Sequence, residues 1–314
     1  METHGSYDQL VNWLLGSLRL ETTVFHAGRY CGMWRASTAG RLLGSFHLIL
    51  DGRCWLHRPG QASVPMGPGD SVLFLSDVPH HLSPDPDPDA GIQQPPATML
   101  AFNASIPAGS TGLACGFFEF HSALNHQLID SLPQAILIRA GDAGGKHLTT
   151  VFELVRTEAH GDPEQPSPLL ARLVEILLFY AIREVVSQDA LGLVGIWRLA
   201  RTTRMAGLLT HILSAPGEDW TIEQMAARVH MSRSNFYRHF VDLTRQSPAA
   251  FLAALRIRIA AQRLESGDSI ERAADHVGYR SSAAFSRAFK KITGEQPGAW
   301  RRSRRCESQA AVLQ

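Results

Sequence analysis

The chain has 314 residues, enough for one to three domains, and its hydrophobic content of 45% is enough to build a core. No apolar run approaches the length of a membrane span, and the N-terminus lacks the charged and then apolar pattern of a signal peptide. These features exclude a membrane-spanning protein and predict a cytoplasmic one.

The formal net charge of +1 conceals a strong asymmetry along the chain. Residues 1–199 carry a net charge of −7, whereas residues 200–314 carry +8. A basic segment of this kind is typical of a module that binds nucleic acid, and the acidic part should stay off the nucleic acid.

The first part of the chain predicts one helix followed by short strands. Residues 7–20 place Leu10, Trp13, Leu14 and Leu18 on one helical face. From residue 23 to 120, short apolar segments alternate with turn signals such as Asp51-Gly52, which favours a small antiparallel barrel or sandwich. Residues 84–97 alternate Pro and Asp and predict a solvated loop, with a lid over the barrel as the alternative.

Several short motifs in this region resemble the cupin fold. The motifs are Phe46-His47, Gly52-Arg53-Cys54, Gly67-Pro68-Gly69-Asp70, Pro79-His80 and Cys115-Gly116-Phe117-Phe118-Glu119-Phe120. The resemblance implies that Asp70 closes a turn and that His80 projects into the barrel. Metal-dependent cupin enzymes carry a His-x-His and Glu set before the first glycine, and Thr38 to Gly44 contain no His. A cupin enzyme therefore stays only as the alternative reading, and no catalytic residue is assigned.

Four cysteines are present, and none forms a Cys-x-x-Cys pair, so reduced thiols are expected. Cys31, His47, His80 and Cys115 come from separate predicted strands of the barrel and form a candidate sensing site. Two imidazoles and two thiolates would suit tetrahedral zinc. A thiolate beside a histidine would instead suit a redox sensor. The third interpretation is that all four are ordinary core residues.

The middle of the chain predicts helices. His147 to His160 carries an apolar face, and residues 161–168 form a linker. Residues 168–187 are apolar over a wide surface, which favours a homodimer interface, with packing against the barrel as the alternative. Arg198 to Ala215 predicts another helix, with Arg201 to Arg204 as an interdomain linker.

One sequence pattern occurs twice near the C-terminus. Each copy has Phe-x-Arg-x-Phe followed eight residues later by proline, first as Phe236 to Phe240 with Pro248, then as Phe285 to Phe289 with Pro297. The copies are offset by 49 residues at these positions but by 48 at the preceding Ile222 and Ile270, so one residue is added in the second turn. Each copy predicts a helix-turn-helix, in which the two Phe point inward; ordinary helical hairpins are the alternative.

This repeat, above all Ala274 to Trp300, resembles the DNA-binding domain of AraC/XylS-family transcription regulators. The cupin-like motifs resemble the sensor domain of one branch of that family. The resemblance implies a transcription regulator, expected to be an activator, that binds double-stranded DNA, contacts RNA polymerase and responds to a small-molecule or redox effector. Alkyl-transfer repair proteins can share this DNA-binding domain, but the zinc-bound cysteine cluster they need is missing from the sequence.

The resemblance also assigns base-facing positions in the two recognition helices. These are Ser234, Tyr237, Arg238, Ser282, Ala283, Ser286 and Arg287, with Lys290 expected to contact phosphate. Arginine can donate two bonds to guanine or hold a phosphate. A helix over residues 249–266 would separate the two recognition helices by roughly one turn of DNA.

The expected fold class is α+β: a cupin-like β-barrel with following helices, then an all-α domain with two helix-turn-helix motifs. The expected domains are 1–120 for the sensor barrel, 121–199 for the helical dimerisation segment and 200–305 for DNA binding.

Overall fold

The computed structural model describes most of the chain. The described residues are 2–90, 98–100, 102, 109–120, 125, 128–141, 146–160, 167–188, 193 and 195–302.

The chain forms two compact units, here called the sheet unit and the helical unit. The sheet unit comprises Leu20–His121 and Leu132–Leu191, and the helical unit comprises Met1–Arg19, Ser122–Ser131 and Gly192–Gln314. The domain boundaries expected at residues 120 and 199 stay predictions. The α+β fold class, with a cupin-like sheet region before a helical region, is confirmed.

Nine strands in two antiparallel sheets lie within the part of the sheet unit that the structure describes. The strands are β1 (Leu20–Cys31), β2 (Gly44–Asp51), β3 (Cys54–His57), β4 (Val64–Met66), β5 (Ser71–Phe74), β6 (His81–Ser83), β7 (Thr98–Leu100), β8 (Thr111–Phe120) and β9 (Ala135–Ile138). Six form one sheet in the order β7-β1-β8-β2-β5-β9, and three form the other in the order β4-β3-β6.

An apolar core cluster contains side chains from both sheets. It includes Trp34, Ile49, Leu56, Phe74 and Leu82, all less than 5% exposed. Strand residues alternate between the faces of a sheet, so Ile49, Val72 and Phe74 face this cluster while their neighbours face the other way. The predicted turn at Asp51-Gly52 is confirmed between β2 and β3, and Gly52 has φ of 71°.

The described residues of the sheet unit also form two helices, α2 (Lys146–Glu158) and α3 (Pro168–Ser187). Pro168 follows the N-cap Ser167, whose hydroxyl accepts a hydrogen bond from the Leu169 N–H. Helix α3 contacts α2, β1 and β9, so one of its faces packs within the unit. Two large side chains on α3, Leu169 and Ile176, are instead exposed.

Eight helices lie within the described residues of the helical unit. They are α1 (Glu2–Ser17), α4 (Gly195–Arg201), α5 (Thr203–Ser214), α6 (Ile222–Arg228), α7 (Arg233–Thr244), α8 (Pro248–Glu265), α9 (Ile270–His276) and α10 (Ser282–Thr293). Helix α1 contacts α4 and α5, burying Leu10 and Leu14. None of the helices that the structure describes combines the length and the apolar character needed to cross a membrane.

Of two local predictions, one is wrong and the other is confirmed in part. The linker expected at Arg201 to Arg204 is wrong, because α4 and α5 are separated only by Thr202 and the flanking Leu199, Ala200 and Met205 are buried. The loop expected at 84–97 is confirmed over residues 84–90, where the Asp85 and Asp87 carboxylates accept the N–H groups two residues on. Residues 91–97 lie outside the described residues.

Candidate nucleic-acid interface and sensor site

The first helix-turn-helix consists of α6 and α7. The Thr221 hydroxyl caps α6 by accepting a hydrogen bond from the Gln224 N–H. The Gln224 side chain accepts one from the Thr221 N–H, which completes the predicted capping box. His230 in the turn has φ of 56°, and Ser232 then caps α7 by accepting from the Asn235 N–H. The sequence thus fixes both where α6 begins and where α7 begins.

The second helix-turn-helix consists of α9 and α10 and repeats this plan. Ser269 caps α9 and Ser281 caps α10. Gly278, with φ of 79°, occupies the place of His230, and a Cβ there would lie 2.6 Å from the Gly217 carbonyl oxygen. The added residue therefore lies between Gly278 and Ser281, in the turn, as predicted.

The paired phenylalanines of both copies form the cores of the two motifs. Phe236, Phe240, Phe285 and Phe289 are each no more than 2% exposed. Their inward orientation is confirmed, and it leaves the opposite sides of α7 and α10 to solvent.

The predicted base-facing residues lie on those solvent sides. In α7, Ser234, Tyr237 and Arg238 are exposed, and the Arg238 guanidinium donates only to the neighbouring Asn235 side chain among its hydrogen bonds in the described structure. In α10, the exposed predicted residues are Ser282, Ala283, Arg287 and Lys290, and Ser286 is half-buried. Their contacts with bases stay predictions.

Helix α8 joins the two motifs and contacts α7, α9 and α10. It has 18 residues, so it is about 27 Å long. Its N-cap is Ser247 and its first residue is Pro248, the proline of the first repeat. The repeated proline therefore starts a helix, and Gly267, with φ of 101°, follows its end.

A buried network of polar side chains occupies the sheet unit beside the core cluster. Cys115 lies directly opposite His47 in the β2–β8 ladder, and its sulfur lies 3.0 Å from His47 Nδ1. His47 Nε2 lies 2.8 Å from His80 Nε2, and Thr38 Oγ1 lies 3.2 Å from the first and 3.1 Å from the second. Thr38 also donates to Ser45 Oγ. Three of the four predicted sensing residues are therefore brought together.

The partners of the two histidines define where the protons lie. His80 Nδ1 is 2.6 Å from the Val78 carbonyl oxygen, which only accepts, so this nitrogen carries the proton. Neutral His80 then accepts at Nε2 from His47 Nε2–H. His47 Nδ1 must in turn accept, and the Cys115 thiol donates to it. The network thus satisfies each ring nitrogen with both rings neutral and the thiol protonated.

Burial supports the same protonation states. It lowers the pKa of His47 well below 6.5, with the neighbouring His80 adding to the effect, and it lowers the pKa of His80 as well. Burial also raises the pKa of the Cys115 thiol, with Cys54 as a smaller cause. A thiolate is therefore disfavoured at Cys115 in this conformation.

Cys31 is not part of this network. It pairs with Thr98, whereas the β1 residue opposite Cys115 is His26, five positions earlier. Five residues of strand span about 16 Å, so Cys31 lies too far along β1 to join Cys115. Its inclusion in one site with Cys115 is corrected on this geometry.

Zinc binding at this network stays a prediction. The Cys115 thiol and His80 contact different nitrogens of the His47 ring, and those nitrogens point in diverging directions. Among the residues that the structure describes, no group of three His, Cys, Asp or Glu side chains is arranged to hold a metal ion.

The sheet unit also contains polar contacts that the sequence did not predict. Thr38 contacts both histidines and donates to Ser45, and its contact with His80 joins residues 42 positions apart, for which the sequence gives no signal. The predicted turn role of Asp70 is confirmed by its bond from the Gly67 N–H, but the same carboxylate also binds Arg139 at 2.8 Å.

Comparison with known proteins agrees with this geometry. A family model described as "Cupin" matches residues 10–187, and one described as "Helix-turn-helix domain" matches residues 225–303. The class of protein is a sensor domain joined to a DNA-binding domain. The chain belongs to the AraC-like transcription regulators that carry an N-terminal cupin domain.

The relatives cover most of the chain. An uncharacterized HTH-type transcriptional regulator of Haemophilus influenzae is 29% identical over 87% of this chain and 91% of its own length. The regulator MtrA of Neisseria gonorrhoeae is 25% identical, with coverage of 82% and 86%. The RCS-specific transcriptional activator RclR of Escherichia coli is 25% identical, with coverage of 82% and 83%. Among solved structures, the DNA-binding domain of AdpA with a target DNA is 32% identical over 33% of this chain and 95% of that chain, with a TM-score of 0.32.

Proposed function

We propose that this regulator reads DNA through α7 and α10, which enter major grooves, and that it acts in the cytoplasm with RNA polymerase as its partner. The observation that carries the proposal is the repetition of one motif. Both helices are capped by serine, both bury a pair of Phe, and both expose an arginine at the equivalent position, Arg238 and Arg287. Helices presented in this way are the reading elements of helix-turn-helix proteins.

Arg238 and Arg287 are the side chains proposed to contribute most to DNA affinity. Both are exposed and occupy the same position in the two copies. A guanidinium can donate to two acceptors of guanine or to a phosphate. Lys290 then adds a phosphate contact, and Ala283 offers only a small apolar surface.

The sheet unit is proposed to sense an effector and to assemble the protein as a homodimer through α3. Residues 168–187 expose Leu169 and Ile176 while the opposite face of the same helix packs within the unit. A homodimer interface at α3 would remove these two apolar side chains from water.

Redox sensing is the second candidate for the signal. It is favoured by the 3.0 Å contact between the Cys115 sulfur and His47 Nδ1, since His47 can accept the thiol proton. The relative RclR is described as RCS-specific. Burial of Cys115 opposes this route, so an oxidant would have to reach the thiol in a more open conformation. Zinc at the same side chains would require His47 to turn, and metal analysis of the purified protein tests it.

Substitution of the two arginines tests the DNA-reading role. Arg238→Ala and Arg287→Ala should each weaken specific DNA binding by about 1–3 kcal/mol while the melting temperature stays unchanged. The measurement is a fluorescence-anisotropy titration with a DNA site recovered from the genome by the purified protein. Arg53→Ala, which removes the same charge from an exposed position of the sheet unit, is the matched control. Affinities equal to that of the control would overturn the assignment.

A further inference from the structure

A cavity of about 350 Å³ lies in the sheet unit, away from the His47 network. Its walls come from β5, β9, α2 and α3, and it includes Ser71, Ile138, Phe152, Leu177 and Ala181. This volume is within the range of sites that bind small organic molecules.

The cavity lies on the face of the six-stranded sheet that is turned away from the core cluster. Val72 and Phe74 of β5 belong to that cluster, so the alternating residue Ser71 faces the other way. The space beside the cluster is occupied by side chains such as Trp34 and Phe74, whereas the outer face offers an open volume.

Ser71 is the first sign of a ligand site. Its side chain is 0% exposed, and its hydroxyl has no hydrogen-bond partner within the part of the chain that the structure describes. A buried hydroxyl without a partner is unfavourable, and such groups in native proteins call for an explanation. A bound molecule with a polar atom beside Ser71 would supply the missing bond.

The charged residues at the cavity define the other end of the ligand. Arg139 is held by Asp70 at 2.8 Å, and Arg156 is held by Glu153 at 2.7 Å. The half-buried Glu184 accepts a bond from the neutral Gln188 amide and has no ion pair among the described residues. Among the described residues that line the cavity, Glu184 is therefore the carboxylate whose charge no cation balances.

We propose that this cavity binds an organic cation with an aliphatic or aromatic body. Its ammonium-type group would lie at Glu184, and a hydroxyl or carbonyl group would lie at Ser71. This inference rests on the proposed effector response and names its chemical class. Leu177, Ala181 and Glu184 share one face of α3, while Leu169 and Ile176 are exposed on the same helix. A ligand on the first face therefore contacts the helix that carries the proposed dimer surface.

Binding to the full-length protein is measured by isothermal titration calorimetry with 8-amino-1-octanol, octylamine and octanoate. The amino alcohol should bind most tightly and octanoate most weakly. Glu184→Gln should weaken both amines about tenfold. Ser71→Ala should remove the advantage of the amino alcohol over octylamine, with a melting temperature equal to or above that of the wild type. Thr149→Trp, which fills the cavity from an exposed position of α2, should abolish binding of all three.

Glu175→Gln is the matched control, because it removes the same charge from α3 outside the cavity. The proposal is overturned if octanoate binds as tightly as the amines, if Glu184→Gln binds like Glu175→Gln, or if none of the three compounds binds. The titration contains no DNA, so its failure leaves the arginine test of DNA reading unaffected, and failure of that test leaves the titration unaffected.

Discussion

His47 is the residue on which the buried polar network depends. Its Nε2–H donates to His80 and its Nδ1 accepts from the Cys115 thiol, so a second proton at Nδ1 would break the bond from the thiol unless the thiol lost its own proton. The ring is fully buried, so a charge there has no water to stabilise it. The network therefore couples the stability of the sheet unit to pH.

Acid should destabilise the sheet unit. Burial lowers the folded-state pKa of both His47 and His80 below 6.5, so the unfolded chain binds more protons below that pH and stability falls as the pH drops. The measurement is the melting temperature by calorimetry between pH 7.5 and 5. At the acid end, unfolding should take up about one proton for each histidine that is neutral in the folded protein. His80→Gln should melt with a shallower pH dependence, and a slope equal to that of the wild type would contradict this reading.

Several individual residues were predictable, and others were not. The burial of His80 and the turn at Asp70 were implied by the resemblance of short motifs to the cupin fold. The contact between His47 and Cys115 depends on the register of β2 with β8, which joins residues 68 positions apart. No local pattern specifies that register, and the error over Cys31 has the same origin.

At the scale of elements, α7 and α10 are specified almost completely by local signals. Serine N-caps, paired Phe and the following proline all act within a few residues, so the pattern predicts both helices and their cores. The interdomain linker expected at Arg201 to Arg204 was wrong because buried side chains on both sides of Thr202 make α4 and α5 parts of one unit. The cavity beside α2 and α3 was also invisible in the sequence, since distant segments form it.

Neighbouring aromatic residues of α7 should separate stability from DNA reading. Phe236 is fully buried, so Phe236→Ala should destabilise the helical unit by about 3–5 kcal/mol. Tyr237 is 44% exposed, and Tyr237→Ala should leave the free energy of unfolding nearly unchanged while weakening DNA binding. Urea unfolding of both variants provides the comparison. Equal losses of stability would mean that the orientation of α7 is misassigned.

For the molecule as a whole, the charge division along the chain matches its two functions. The basic part carries the helix-turn-helix pair and the acidic part carries the sheets. Attraction to phosphate is thus concentrated in the part that carries the helix-turn-helix pair, and the proposed effector and second subunit would bind the acidic part.

Dimerisation through α3 makes a specific prediction. Ile176→Lys places a charge in the proposed interface and should shift the protein from dimer to monomer, as measured by light scattering after gel filtration. Leu154→Lys is the control, because Leu154 is 51% exposed on α2. A monomeric wild type, or dissociation by both substitutions, would argue against α3 as the interface.

We propose that one chain reads DNA with two recognition helices. Hydroxyl-radical footprinting of the full-length protein on a genomic site that it selects tests this most directly. We expect two protected patches per subunit, about 10 base pairs apart on one side of the duplex, with Arg238→Ala weakening one patch and Arg287→Ala the other. A single protected patch per subunit, insensitive to one of these substitutions, would contradict it.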